Sequence, residues 1–358
     1  MGNEKQNGLV GIRVIATLGI AIFHFELSYP FIEGKQIFGT SYLFVEMFFI
    51  MSGFLFAKGM ISGRHANEKF SEVVEGRIIR LYPAYLFALL ILPVVYCLAW
   101  YGGDYYQWLI DGNLKSFAVE VVMLQSIGLS SFKYINGPAW YVSALLLSTI
   151  VAFFFIKYVK KGHLFLFLSL VIYAVIWIFE SPSMSSSAFI FSFVPVPLLR
   201  GIAGVFLGVS CYYYCLAKSS NLQKIRPIVR GMIELACLIV IMRLVLFKPS
   251  DWYNCLILIP FCILTVLLYS SNDSFISKVL SDRHWNFFSE ISYSFYISQS
   301  FCSNVFTCLA PNVQQPFVFI WYMILNTCLA IFIHYFIEVP AVKLYYGKKK
   351  SANVAGNS

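Results

Sequence analysis

The chain has 358 residues, of which 59% are hydrophobic and only 12% are charged. This composition, with a mean hydropathy of +0.74, excludes a water-soluble globular domain. The net charge of +9 does not indicate a nucleic-acid partner, because the basic residues are spread over many loops and form no single basic face. The nine cysteines lie in or beside apolar runs without the paired spacing of zinc ligands, so no metal site is predicted.

A helix needs about 20 mostly apolar residues to cross a bilayer. Ten such runs follow one another along the chain, at 9–29, 39–57, 80–101, 139–157, 164–180, 196–217, 231–247, 253–271, 288–310 and 317–338. We therefore predict an all-α fold, a polytopic integral membrane protein with about ten transmembrane helices. The apolar segment 117–129 is too short to cross, and we predict an interfacial or re-entrant helix there.

The distribution of basic residues predicts the orientation of the chain. Twenty of the 26 lysines and arginines fall at the termini or in loops on the same side as the termini. The positive-inside rule then predicts that both termini are cytoplasmic. We predict one transmembrane domain over residues 1–347, an outer loop at the Ser-rich patch 181–187, and a flexible cytoplasmic tail over residues 348–358.

His24 is the first polar residue in a position where lipid makes it costly. It follows Arg13 by eleven residues on the first predicted helix, which puts its imidazole about 16 Å deeper, near the middle of the membrane. A neutral imidazole can accept a proton from a hydroxyl, so His24 is a candidate catalytic residue. The alternative is a histidine that forms a hydrogen bond between helices and serves only their packing.

Two acids near His24 in the sequence have different predicted environments. Glu46 interrupts the apolar second helix, and its carboxylate is a candidate to orient His24, as the carboxylate of a histidine-based triad does. The alternative places Glu46 at the outer interface, paired with a lysine. Glu26 points to a different face of the first helix from His24, so we predict a solvated acid at the outer interface.

Arg77 and Arg80 lie one helical turn apart at the predicted cytoplasmic start of the third helix, so they share a face. Two guanidiniums in this arrangement can bind phosphate groups bidentately, and Arg13 lies at the same predicted membrane surface. The alternative for each is an ordinary positive-inside arginine that contacts lipid headgroups.

Other candidate residues lie further along the chain. Trp140 and Tyr141 open the fourth predicted helix, where an aromatic belt is expected and where sugars also stack on aromatic rings. Arg200 lies within the sixth predicted helix and requires a partner there. His334 and Glu338 are four residues apart and share a face at the end of the last predicted helix.

Several of these residues fall in motifs that resemble the membrane-bound acyltransferases of family 3, bacterial enzymes that O-acetylate cell-surface glycans and related acceptors. Arg13, ten intervening residues and His24 resemble the first-helix motif of that family, and Arg77-x-x-Arg80 followed by LYPAY resembles its basic motif at helix three. Further similar segments follow in the family's order, FFIMSGF at 48–54, PAWYVS at 138–143, LLRGIAGVFLG at 198–208, SEISYSFYIS at 289–298 and FIEVP at 336–340. The resemblance covers nearly the whole chain.

The resemblance implies transfer of an acetyl group from cytoplasmic acetyl-coenzyme A to a hydroxyl of a glycan or lipid-linked acceptor, in the bacterial cytoplasmic membrane and in contact with its lipids. It implies His24 as general base or acyl carrier, and Arg13, Arg77 and Arg80 as ligands of the coenzyme A phosphates. From their positions in the predicted helices, we predict Glu46 as the catalytic partner of His24, and Trp140, Tyr141 and Arg200 as substrate-binding residues. The chain departs from many relatives at WYVSALLL, which lacks their glutamate, and at Gln299, where they have a histidine. No proton chemistry is therefore assigned to Gln299.

An alternative function from another class is a transporter or exporter of polysaccharide or lipid-linked glycan. Such a protein also needs many helices and intramembrane charges. The sequence lacks the inverted repeats and matching discontinuous helices that are common in transporters, and the ordered motifs favour the acyltransferase.

Overall fold

The computed structural model describes residues 7–32, 35–63, 65–66, 68–100, 102–131, 133–180, 184, 187–247, 251–309 and 315–355. These residues form a bundle of helices with one short antiparallel hairpin, β1 (Phe189–Ile190) and β2 (Val194–Pro195). The helices are α1 (Leu9–Ser28), α2 (Phe44–Ser62), α3 (Phe70–Trp100), α4 (Tyr105–Trp108), α5 (Leu114–Val121), α6 (Trp140–Tyr158), α7 (Gly162–Phe179), α8 (Val196–Gln223), α9 (Pro227–Leu246), α10 (Leu258–Ser270), α11 (Phe275–Leu280), α12 (Trp285–Leu309), α13 (Gln315–Ile333) and α14 (Val339–Ala355). Short 3₁₀ or π-helical turns lie at Ser41–Leu43, Leu109–Asn113, Gln125–Ile127, Gly137–Ala139, Asp251–Ile257 and His334–Glu338.

Eight helical segments within the described ranges are long and apolar enough to cross a bilayer. The predicted fold class, an all-α multi-pass membrane protein, is confirmed. The predicted runs 231–247 and 288–310 also fold as helices, α9 and α12, but both are more polar. Arg230, Glu234 and Arg243 lie on α9, and α12 is rich in serine. The number of ten crossings and the cytoplasmic termini stay predictions.

The structure can be compared with three shorter predicted features, the apolar segment 117–129, the Ser-rich patch 181–187 and the tail 348–358. The segment 117–129 contains the end of α5, an eight-residue helix, followed by the 3₁₀ turn Gln125–Ile127; at 1.5 Å per residue α5 is only about 12 Å long and cannot cross. The backbone of α14 is helical to Ala355, within the predicted tail. In the Ser-rich patch, residues 181–183, 185 and 186 lie outside the described residues. The division into one domain and a tail stays a prediction.

Helices α2 and α8 approach each other at backbone distance. A side-chain carbon added at Gly208 would lie 2.0 Å from the carbonyl oxygen of Ile50, and one added at Gly53 would lie 2.1 Å from that of Val205. Glycine alone permits this approach, as small residues do at many helix contacts within membranes. The contact fixes the register of α2 against α8, and with it the positions of the polar side chains that these helices carry.

A second packing unit brings α1 beside α12 and α13. Its buried apolar side chains include Ala21 and Phe25 from α1, Ile291 and Phe295 from α12, and Tyr322 from α13. Helix α12 also packs against α3. Through α12, the first helix is therefore connected with the helix that carries the two neighbouring arginines.

The close approach of α2 and α8 leads to a prediction about stability. We expect Gly208→Ala to destabilise the protein by about 1–3 kcal/mol or more, because the added methyl group overlaps a backbone atom that cannot rotate away. The melting temperature of the purified protein in detergent measures the effect. Gly347→Ala is the matched control, since no atom lies within 4 Å of a side-chain carbon built there. Equal losses in the two variants would contradict the backbone contact.

Candidate active site

A cavity of about 680 Å³ lies at the end of the bundle where α1 begins and α2 ends, the predicted cytoplasmic end. Ligand pockets typically measure roughly 300–1,000 Å³, so the cavity is large enough for a sizeable ligand. Residues from α1, α2, α3, α6, α12 and α14 contribute to its walls. Its charged lining residues are Arg13, Lys58, Arg77 and Arg80 and the acids Glu68, Glu72, Glu290 and Glu338.

Arg13, Arg77 and Arg80 meet around this cavity although α1 and α3 are separated by a whole helix in the sequence. Arg80 lies within electrostatic range of both Arg13 and Arg77, and the Arg77 guanidinium lies 5.1 Å from the centre of the Phe56 ring. Within the part of the chain that the structure describes, none of the three guanidiniums pairs with a carboxylate. Three neighbouring positive charges without a counterion favour an anionic ligand.

Two of the acids in the cavity wall have partners of their own. Glu68 Oε2 lies 2.8 Å from His65 Nδ1, and Glu72 accepts a hydrogen bond of 2.9 Å from the backbone N–H of Lys69. These carboxylates therefore stabilise the loop before α3 and the first turn of that helix. They leave the arginines available to a ligand.

A third acid, Glu338, belongs to the π-helical turn His334–Glu338. Its Oε2 accepts a hydrogen bond of 3.0 Å from the Ser294 hydroxyl and lies 3.0 Å from His334 Nδ1. The two residues share a face, as their spacing predicts. The group ties the end of α13 to α12 at the wall of the cavity.

His24 lies on the same face of α1 as Arg13, because eleven residues make about three helical turns. In the structure it lies near the C-terminal end of that helix, four residues before Ser28, and its depth in the membrane stays a prediction. Its half-buried ring contacts Phe23, with 5.2 Å between ring centres, and has no hydrogen-bond partner among the described residues. The cavity lining reaches Thr17 on α1, so His24 lies about two helical turns beyond it.

Glu46 has different partners from the predicted one. Its carboxylate is fully buried and accepts hydrogen bonds from Arg200 Nε at 2.7 Å and from the Tyr173 hydroxyl at 2.5 Å. Both oxygens are thereby used, and no contact with His24 is formed. The prediction that Glu46 orients His24 is therefore corrected: in this structure Glu46 is the anion of a buried ion pair between α2 and α8.

The predicted substrate-binding residues separate into two groups. Arg200 is fully buried, donates to the carbonyl oxygen of Met184 at 2.6 Å and stacks on Trp140, with 4.9 Å from the guanidinium carbon to the ring centre. Tyr141 lines the cavity and packs against Tyr296 with 5.6 Å between ring centres. Of the three, only Tyr141 lines the cavity. Arg200 forms the buried ion pair with Glu46, and Trp140 packs against the Arg200 guanidinium.

Glu26 is buried rather than solvated, which corrects the prediction for this residue. Its carboxylate accepts hydrogen bonds from the backbone N–H groups of Ile37 at 2.9 Å and Phe38 at 2.6 Å. The segment after α1 folds back over the end of the helix, and Glu26 satisfies its backbone donors.

Glu120 on α5 is a buried acid that belongs to none of the sequence motifs. It accepts hydrogen bonds from the backbone N–H groups of Ile135 at 2.5 Å and Asn136 at 3.1 Å, and the Asn136 side chain donates to the carbonyl oxygen of Ile297 at 3.1 Å. Burial raises the pKa of the Glu120 carboxyl to about 8, against the lowering effect of the two backbone hydrogen bonds. The only sequence signal is an acid within a short apolar segment. Glu120 holds the start of α6, and thus Tyr141, against α12.

The fold and the cavity define the class of protein as a multi-pass membrane protein with a cavity at one end of the bundle, around which three arginines lie. Within the described ranges, no three histidine, cysteine, aspartate or glutamate side chains come together as metal ligands. The chain matches the acyltransferase 3 family, described as an acyltransferase domain, over residues 6–336. It therefore belongs to this family, and the protein is a membrane acyltransferase. No curated protein and no solved structure gives a significant match.

The buried ion pair between Glu46 and Arg200 can be tested by a double-mutant cycle. We expect Arg200→Met to destabilise the protein by about 3–5 kcal/mol, because it leaves the Glu46 charge buried without a partner. The double variant Glu46→Gln, Arg200→Met should recover most of this loss, since both charges are then removed. Thermal unfolding in detergent is measured for Arg200→Met, for Glu46→Gln and for the double variant, which completes the cycle. Additive losses in the double variant would refute the pairing.

The buried Glu120 carboxyl leads to a prediction about pH. Between its ordinary pKa of 4.5 and its folded value of about 8, the folded protein binds the proton and the unfolded chain does not. The Glu120 contribution to stability is therefore most favourable below about pH 4.5 and falls as the pH rises to about 8. We expect Glu120→Gln, which cannot ionise, to have a flatter profile of melting temperature against pH than the wild type. Parallel profiles would contradict the assigned shift.

Proposed function

We propose that the protein is an O-acyltransferase of the bacterial cytoplasmic membrane that moves an acetyl group from cytoplasmic acetyl-coenzyme A to a hydroxyl of a cell-surface or lipid-linked glycan. The observation that carries the proposal is the cluster of three arginines around a cavity, none of which has a carboxylate partner among the described residues. The same face of α1 that carries Arg13 also carries His24. A binding site for a charged donor and a candidate base thus lie along one helix.

The cavity matches the chemistry of a coenzyme A thioester. Its phosphates need several cations, and a guanidinium binds phosphate through two parallel hydrogen bonds. The lining also includes aromatic side chains near the starts of α2 and α6, Phe48 and Tyr141, and Tyr296 of α12, and such a wall suits the uncharged arm that carries the acyl group. The charged part of the donor is thereby held at the mouth while the thioester points inward.

The distance between the cavity and His24 must be spanned by the arm that carries the acyl group. Arg13 and His24 lie about 16 Å apart along α1, and the cavity lining covers the first part of this distance, up to Thr17. The long arm between the phosphates and the thioester of coenzyme A suits such a separation. For transfer, this arm passes the aromatic side chains that line the cavity.

His24 supplies the acid–base or nucleophilic chemistry in this proposal. It accepts the proton of the acceptor hydroxyl as general base, or it takes the acetyl group itself and passes it on. In both routes the thioester C–S bond breaks, a new ester C–O bond forms, and the hydroxyl proton ends on the released thiol. A site with little water protects the thioester from hydrolysis.

Two variants test the donor site and the candidate base separately. We expect Arg80→Gln to weaken coenzyme A binding by roughly 10–100-fold, because one charge-assisted contact contributes about 1.5–3 kcal/mol. We expect His24→Ala to bind coenzyme A like the wild type but to lower acetyl transfer by about 100-fold or more. Binding is measured by calorimetry on purified protein, and transfer by the incorporation of labelled acetyl groups into glycan in inverted membrane vesicles.

Arg243→Gln is the matched control for the arginine variant. Arg243 lies on α9, where it donates to the carbonyl oxygen of Phe247 at 2.9 Å, and it does not line the cavity. Its replacement should leave coenzyme A binding unchanged. Full transfer by His24→Ala would reject the role of His24, and unchanged binding by Arg80→Gln would reject the donor site.

A further inference from the structure

Helices α1 and α12 lie side by side and run in the same direction. At one end, a side-chain carbon added at Gly11 would lie 2.5 Å from the carbonyl oxygen of Leu280, shortly before α12 begins. At the other end, the hydroxyls of Ser28 and Ser303 share a hydrogen bond of 3.3 Å. These two contacts fix the register of the pair over most of its length.

His24 and Gln299 occupy corresponding positions in this register. Each lies four residues before one of the hydrogen-bonded serines, Ser28 on α1 and Ser303 on α12. Residues four apart lie on the same face of a helix, one turn apart. His24 and Gln299 are therefore level with each other, one turn inward from the contact between the serines.

Gln299 is fully buried, and neither its amide nitrogen nor its amide oxygen has a hydrogen-bond partner among the described residues. Asn326 on α13 differs from Gln299, because both the oxygen and the nitrogen of this buried amide form hydrogen bonds. Asn326 accepts from the Ser298 hydroxyl at 2.6 Å and donates to the carbonyl oxygen of Phe295 at 3.3 Å. A buried polar group without partners costs about 1–3 kcal/mol of stability. The Gln299 amide therefore lowers the stability of the folded protein.

The partners that a primary amide requires are specific. Its NH₂ group needs an acceptor, its oxygen needs a donor, and the amide does not ionise at ordinary pH. The two reactants of the proposed acyl transfer present both kinds of group, an acyl carbonyl oxygen and the hydroxyls of the acceptor. His24, level with Gln299, also lacks a hydrogen-bond partner within the described residues.

We infer that Gln299 is a catalytic residue of the acyl transfer, an inference that rests on the proposed function. Its NH₂ group donates a hydrogen bond to the acyl carbonyl oxygen, on which negative charge develops as the acceptor hydroxyl attacks. The amide oxygen accepts from an acceptor hydroxyl other than the one that reacts.

The step balances without any further reactant. The acceptor oxygen bonds to the acyl carbon, His24 takes the hydroxyl proton, and Gln299 stabilises the oxyanion. The carbonyl then re-forms, the C–S bond breaks, and the proton passes from His24 to the thiolate. Gln299 itself neither gains nor loses a proton.

The test is Gln299→Met, which keeps the approximate size of the side chain and removes both hydrogen-bonding groups. We expect the variant to melt at the same temperature as the wild type or higher, because an unpartnered polar group is lost. We expect it to bind coenzyme A with unchanged affinity and to transfer labelled acetyl groups into glycan about 100-fold more slowly in inverted vesicles, the cost of one oxyanion donor. A structural amide would give the opposite combination, lower stability with normal transfer per folded molecule.

Gln125→Met is the matched control for stability. Gln125 is also fully buried, but its amide nitrogen donates to the Tyr85 hydroxyl at 3.1 Å and to the carbonyl oxygen of Ala139 at 3.0 Å. The same substitution should therefore lower its melting temperature.

The possible results separate this inference from the proposed function. Wild-type transfer with equal transfer by Gln299→Met, or failure of that variant to fold, overturns the role of Gln299 alone. Absence of transfer by the wild-type protein overturns the proposed function, and the role of Gln299 with it.

Discussion

A charged or polar group inside a lipid-embedded helix bundle needs a partner, since neither lipid nor packed apolar side chains can replace the water it has lost. The ion pair of Glu46 with Arg200 meets this requirement between α2 and α8. The Tyr173 hydroxyl extends the group to α7, and the ring of Trp140 adds α6. Four helices are thus joined through one buried charge pair, in a register that the glycines of α2 and α8 make possible.

The same requirement separates polar groups that have partners within the fold from polar groups that have none among the described residues. Glu26 and Glu120 are buried, and each accepts hydrogen bonds from two backbone N–H groups, so their roles are complete within the fold. The three arginines of the cavity, together with His24 and Gln299, lack such partners among the described residues. Side chains that break the local rules of packing are expected at functional sites, where the substrate provides what the protein does not.

In the proposed function, the arrangement along α1 separates the binding of charge from the chemistry. Arg13 belongs to a cavity that can hold phosphates, whereas His24 lies about two turns beyond the lining of that cavity. A donor with a charged head and a long neutral arm fits this separation. Tyr141 lines the cavity, and Glu120 holds the start of its helix against α12.

Local spacing and composition in the sequence determined the all-α membrane fold, the positions of the long helices, and the shared face of Arg13 and His24. These features depend on apolar length and on the helical period, which are properties of contiguous residues. Only the tertiary structure decided that Glu46 pairs with Arg200, 154 residues away, and that Glu26 is buried under the segment after α1. Such partners are chosen by the packing of helices that are distant in the chain, and no spacing within one helix carries that information.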